Sequence, residues 1–178
     1  MIHHLRPGRV VETGVARGIT SRFVLEAFTR TGRGHLWSVD LPPPRARGLR
    51  EQIGIAVPKS LTARWTYVRG SSRRRLPGLL DEVGEIELFI HDSRHTKRNL
   101  LFELEHAWRA LRPSGVAVAD DIDLNCGFHS FTSAHGQSPA LICEAEPLEP
   151  DIGRQNDRGV FGIVKKAHGS GGSDPAHP

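Results

Sequence analysis

Two short stretches concentrate reactive side chains. His91-Asp92-Ser93-Arg94-His95 follows the apolar run Ile86-Glu87-Leu88-Phe89-Ile90 without a break, and Asp120-Asp121-Ile122-Asp123 follows Val116-Ala117-Val118-Ala119. An imidazole with an ordinary pKa of roughly 6.5 is suited to taking a hydroxyl proton near neutral pH. Carboxylates offer hard oxygen ligands to a divalent ion. His95, three residues beyond Asp92, is therefore the candidate base; the alternative is a histidine at a helix start bonded to local backbone. His91 alternates away from Asp92 along an extended chain and reads as a bystander. Arg94 reads as a surface residue or a contact for a substrate carboxylate.

A second group lies upstream. Glu12-Thr13-Gly14 and Gly18 place two glycines four residues apart, and glycine there lets backbone approach a ligand closely. The spacing is not G-x-G-x-x-G, which disfavours a nicotinamide cofactor. Asp40 follows Gly18 by 22 residues. A carboxylate so placed can accept both hydroxyl hydrogens of a ribose. Gly70-Ser71-Ser72 forms a third polar stretch.

The elements that must hold these residues are legible in the apolar pattern. Strands are expected at Arg9–Thr13, His35–Asp40, Trp65–Val68, Ile86–Ile90 and Val116–Ala119, each followed by one of the polar stretches. Helices are expected from about Thr20 to Thr29, near 46–56, around 76–83 and over 97–111. In the last of these, Leu100, Leu104, Ala107, Trp108 and Leu111 recur at three- and four-residue steps as one apolar stripe. Two further strands, Leu141–Ala145 and Gly159–Val164, are joined by a polar loop with no helix and read as a pair closing one sheet edge. The pattern predicts a doubly wound α/β domain, whose ligands bind beyond the carboxyl ends of the strands. Residues 1–167 form a single domain, and the Gly/Ser-rich segment 168–178 reads as a flexible tail.

Composition narrows the function classes. The chain has 178 residues, 38% hydrophobic and 25% charged, which is ordinary for a globular domain. No apolar run approaches the ~20 residues of a membrane helix. The start, Met-Ile-His-His-Leu-Arg-Pro, lacks the apolar core of a signal peptide, so a cytoplasmic location is expected. Two cysteines, Cys126 and Cys143, support neither a disulfide framework nor a zinc knuckle. The net charge of +4 gathers in Arg45, Arg47, Arg50 and Arg73-Arg74-Arg75. No aromatic residues interleave with these clusters, which argues against nucleic acid as the partner.

Glu12-Thr13-Gly14-x-x-x-Gly18, Asp40 and the final strand pair resemble the class I S-adenosylmethionine (SAM)-dependent methyltransferases. Leu88–Thr96, Phe102-Glu103-Leu104, Leu111-Arg112-Pro113-Ser114-Gly115 and Ala119-Asp120-Asp121 resemble methyltransferase family 24 in particular, related to the metal-assisted O-methyltransferases. The resemblance covers residues 9–165. It implies a Rossmann-like, mostly parallel seven-stranded sheet with a C-terminal antiparallel pair. It also implies that Glu12, Gly14 and Gly18 wall the methionine and ribose of SAM, that Asp40 holds the ribose, and that Gly70 and Ser71 lie near the adenine. In metal-dependent relatives the positions of Asp92, Asp120 and Asp121 ligate a divalent ion, here Mg2+, with His95 and Asp92 in the catalytic roles. Two departures stand out. Ser114-Gly115 replaces the commoner Gly-Gly, and only eight residues precede Arg9 where relatives carry covering helices. A homodimer is an attractive source of that cover. The resulting expectation is methyl transfer to a hydroxyl of a small molecule. The alternatives are RNA methylation through the arginine clusters, or a non-catalytic cofactor-binding or interaction protein.

Overall fold

The computed structural model describes residues 2–41, 52–136, 138–144 and 159–167. Seven strands form one sheet: β1 (Arg9–Thr13), β2 (His35–Asp40), β3 (Trp65–Arg69), β4 (Ile86–His91), β5 (Leu111–Ala119), β6 (Ala140–Glu144) and β7 (Val160–Lys165). Their order is β3-β2-β1-β4-β5-β7-β6. The first five run parallel, and β7 pairs antiparallel with both β5 and β6. The chain winds outward from β1 through β2 to β3, then returns to β4 and winds the other way. The β1/β4 junction is thus the switch point, where open α/β sheets bind ligands.

The helices are α1 (Ile2–Leu5), α2 (Ile19–Thr31), α3 (Ser72–Val83), α4 (Lys97–Ala110) and α5 (Gly127–Ala134). One core cluster joins α3, α4 and α5 to the sheet through Leu76, Phe89, Leu104 and Phe131; the other joins α2 through Val24, Phe28, Leu36 and Leu88. The α4 stripe is buried as expected at Leu100, Leu104, Ala107 and Trp108. Each such leucine contributes roughly 1.5–3 kcal/mol by leaving water. No described helix is long and apolar enough to cross a membrane.

Several boundaries differ from the expectation. Helix α3 begins at Ser72 rather than 76, placing Pro77 inside it. The arginines before Pro77 are good helix formers, and a proline this near the start removes few hydrogen bonds. Of the helix expected near 46–56, residues 46–51 lie outside the described residues; 52–56 form turns, and a 3-10 helix follows at Lys59–Arg64. Strand β5 begins at Leu111, five residues early, because Leu111 pairs with Ile86 of β4 across a register shift, while Ser114 N–H donates to the Lys166 carbonyl and Lys166 N–H to the Gly115 carbonyl. Ala145, the polar loop before β7 and the tail at 168–178 also lie outside the described residues. Helix α5 was not anticipated: eight residues with Phe128 and Phe131 facing inward are too short for periodicity to stand out.

Candidate functional site

The sharpest feature of the switch point is how tightly its two loops meet. Gly14 has φ +86°, and a Cβ on it would overlap the carbonyl group of Asp92 and the nitrogen of Ser93. Asp92 N–H in turn donates to the Thr13 carbonyl, at 2.8 Å. The first loop therefore lies directly on the loop after β4, and only glycine permits the approach. Gly18, at φ +82°, opens α2 and packs against Gly54 and Val57. Backbone bonds from Gly54 to Ala16 and from Ala56 to Arg17 fasten segment 52–57 to the same loop.

Four expected cofactor residues, Glu12, Asp40, Gly70 and Ser71, lie around this loop. Glu12 has no exposed surface; Ser21 and Ser38 hydroxyls donate to its Oε2 at 2.6 and 2.7 Å, while Oε1 is buried without a partner. Burial, with the charges of Asp92 and Asp40 acting the same way against the serine bonds, pushes its pKa up to about 7. Asp40 Oδ2 accepts the N–H groups of Val15 (3.0 Å) and Ala16 (2.9 Å), so this carboxylate shapes the loop itself. Its carbonyl accepts Gly70 N–H, which seats Gly70 and Ser71 beside it at the head of α3. On the Asp92 carboxyl, burial and then Asp120 outweigh His95, Thr20 and His91 and raise the pKa to about 6.

Around the fourth strand end, His95 Nε2 lies 3.6 Å from Asp121 Oδ2, and Asn125 donates to the His95 carbonyl. Asp121 has φ +50°, the left-handed region, at the start of a 3-10 turn Ile122–Leu124. His91, expected to be a bystander, is fully buried and bonded through Nδ1 to Glu103 Oε2 at 2.6 Å. Glu103, part of the Phe102-Glu103-Leu104 stretch that carried the family resemblance, was given no role by residue patterns and is a functional candidate on the α4 face. Beside these residues a cleft of about 200 Å³ opens between α5 and β6, lined by Ile122, Asn125, Phe128 and Ile142 among others. A larger cleft, about 400 Å³, involves Leu80, Gly84 and Ala110 at the opposite ends of α3 and α4. It lies away from the switch point.

The residues expected to bind a metal follow the carboxyl ends of β4 and β5. Asp92 and Asp120 interact, but Asp121 sits against His95, and among the described residues no three His, Cys, Asp or Glu side chains are grouped to hold an ion. The loop fits a cationic organic ligand better. Glu12, Asp40 and Asp92 interact electrostatically around it, and among the described residues none forms an ion pair with lysine or arginine.

Residues 11–122 match the model of a methyltransferase-domain family. The chain belongs to methyltransferase family 24. Solved structures agree with this methyltransferase in fold. The O-methyltransferase TomG of tomaymycin synthesis from Streptomyces achromogenes, in complex with SAM, superposes with a TM-score of 0.69 at 15% identity, over 93% of this chain and 76% of that one. An O-methyltransferase from Bacillus cereus, in complex with S-adenosylhomocysteine (SAH), gives 0.66 at 16%, over 93% and 77%. The SAH-bound methyltransferase PaMTH1 from Podospora anserina gives 0.63 at 18%, over 93% and 74%. No curated protein sequence matches the chain. Family membership makes it a class I SAM-dependent methyltransferase.

Proposed function

We propose that this methyltransferase transfers a methyl group from SAM to a hydroxyl oxygen of a small molecule, with His95 as the base. One observation carries the reading: three carboxylates converge on a glycine loop at the switch point, beside a histidine and a cleft. SAM, when bound, supplies a methyl group made electrophilic by a sulfonium. Glu12 and Asp92 would face its cationic groups, Gly14 and Gly18 would let backbone close against it, and Asp40 would hold the loop and the ribose side. Gly70 and Ser71 would border the adenine.

On the acceptor side, His95 Nε2 takes the hydroxyl proton, and Asp121 stabilises the imidazolium that results. Ile122, Phe128 and Ile142 give the neighbouring cleft an apolar wall for the body of the acceptor. Positioning the oxygen is the larger part of catalysis in a displacement of this kind. A divalent ion has no part in this reading, because Asp121 serves His95 rather than a shared ligand set.

Calorimetry with SAM and SAH, followed by transfer of labelled methyl to a panel of phenols and hydroxy acids, tests the proposal. Absence of SAM binding would remove it. A second reading, an anionic acceptor such as RNA, draws on Arg69, Arg73, Arg74, Arg75, Arg94, Lys97 and Arg98, all exposed and set at the carboxyl ends of β3 and β4 or the starts of α3 and α4. It predicts acceptor affinity falling steeply with salt, whereas a small neutral acceptor shows little change.

A further inference from the structure

The cleft between α5 and β6 has an unequal lining. Ile122, Phe128 and Ile142 are apolar; the polar members are Asn125, His129 and Thr132. Thr132 turns its hydroxyl back on its own helix, donating to the Phe128 carbonyl at 3.1 Å. His129 is exposed, so water satisfies it. That leaves Asn125, half-buried between the 3-10 turn Ile122–Leu124 and the start of α5.

Asn125 is held in one orientation. Its Oδ1 accepts Gly127 N–H at 2.8 Å, and its Nδ2 donates to the His95 carbonyl at 3.4 Å. A backbone N–H can only donate and a carbonyl can only accept, so exchanging the oxygen and nitrogen of this amide would break both contacts. The seat is tight as well: a Cβ on Gly127 would lie 2.6 Å from Asn125 Oδ1 and would also meet Leu100 and Lys97 of α4. The amide nitrogen carries two hydrogens. The His95 carbonyl takes one, and among the described residues nothing accepts the other. A fixed N–H donor therefore stands in an apolar wall, on a residue bonded to the loop that carries the base.

We propose that Asn125 is a specificity residue that reads a neutral carbonyl oxygen on the acceptor, as in a hydroxyaryl ketone. The inference rests on the proposed reaction for its base and goes beyond it in naming the group that accompanies the reacting hydroxyl. A cleft of about 200 Å³ with apolar walls suits a ring-sized body. An acceptor filling it pushes water off the amide, and an N–H then left without an oxygen costs its desolvation. A carbonyl removes that cost. A carboxylate would satisfy the N–H equally, but Asp120, Asp121 and Asp123 follow β5 on the same loop and repel an anion. A merely structural Asn125, serving only to start α5, would make the same two bonds. Asparagine and aspartate accept an N–H at a helix start about equally well, so Asn125→Asp preserves that service while removing both amide hydrogens.

Matched pairs of hydroxyaryl ketones and the hydroxyaryl alkanes in which CH2 replaces the carbonyl test the proposal. Calorimetry on the SAH-loaded protein is the deciding readout, because a carbonyl also alters the acidity of the hydroxyl; kcat/KM for methyl transfer follows. The unaltered protein should bind the ketone about tenfold more tightly, the worth of a neutral hydrogen bond to an otherwise stranded donor. In Asn125→Asp the preference should vanish or reverse toward the less polar alkane, with SAH affinity kept. Absence of a ketone preference in every pair overturns the proposal, as does an equal preference in the unaltered protein and Asn125→Asp. Should the variant not fold, the unaltered protein still decides, and there matched hydroxyaryl carboxylates should bind more weakly than the ketones; tighter carboxylate binding also overturns it. Failure of the proposed reaction shows separately, as SAH-loaded protein that tells ketone from alkane while no methyl passes from SAM to either.

Discussion

At the scale of single residues, Gly14 and His95 make opposite kinds of prediction. Gly14→Ala forces a side chain into the Asp92 backbone at a left-handed φ. The conformation alone costs about 1–3 kcal/mol, and the overlap must also push the β4 loop away. We expect a lower melting temperature together with lost SAM affinity by calorimetry; an alanine variant binding SAM normally would show that the loops need not touch. His95→Gln keeps a polar side chain at a part-exposed position, so the fold and SAM affinity should persist while kcat drops by about 10²–10⁴, the usual worth of a general base. Asp121 adds a third test. Because the proposed reaction uses Asp121, beside His95 Nε2, to steady the imidazolium, EDTA should leave turnover unchanged, measured as labelled methyl transferred. Loss of activity that Mg2+ restores would contradict that arrangement. Sequence reasoning singled out Glu12, Gly14, Gly18, Asp40, Asp92 and His95 because each lies near a strand's carboxyl end or in the loop that follows it, in a telling residue type. It passed over Glu103, whose meaning comes from four donors on β1, β4, the β4 loop and α4, contacts that no linear spacing displays.

At the scale of elements, the strands were legible while helix α5 and the start of α3 were not, for physical reasons. The buried parallel strands are short apolar runs closed by polar residues, a pattern that marks both ends. Helix α5 lacks that signature. It is held instead by what its phenylalanines meet: Phe128 lies over Gly162 of β7, and Phe131 contacts Trp108 of α4 with rings 5.3 Å apart. A Cβ on Gly162 would run into the Phe128 ring, although the φ there is ordinary. Gly162→Ala should therefore lift α5 and disturb the cleft beside it, weakening acceptor binding more than SAM binding. Comparing KM for the two substrates checks this. Equal effects on both would mean that α5 does not border the acceptor. Helix α3 teaches a related point, since Pro77 invites an expectation that the helix starts near it, while the segment from Ser72 is long enough to accommodate it.

Across the whole molecule, the pKa shifts combine into a pH dependence whose sign can be worked out. Glu12 is raised from 4.5 to about 7 and Asp92 from 3.8 to about 6, chiefly by burial. A raised carboxyl folds best when protonated. Its contribution is complete below the unfolded value and disappears as pH climbs through the folded one. Glu103 runs the other way: lowered, it stabilises above the ordinary carboxylate range and loses that contribution as pH falls. The cofactor-free protein should then lose stability between about pH 5 and pH 8, with Glu12 alone accounting for on the order of 3 kcal/mol. A cationic ligand reverses this, because it favours the ionised forms of both acids. SAM affinity should therefore rise from pH 6 to pH 8, and more than that of SAH, which lacks the sulfonium. Glu12→Gln imitates the protonated acid and separates the contributions. It should melt like the unaltered protein near pH 5, melt higher near pH 8, and bind SAM with a shallower pH dependence. Parallel melting curves for the two proteins across that range would remove Glu12 as the origin, and with it the argument that the glycine loop is built to await a positive charge.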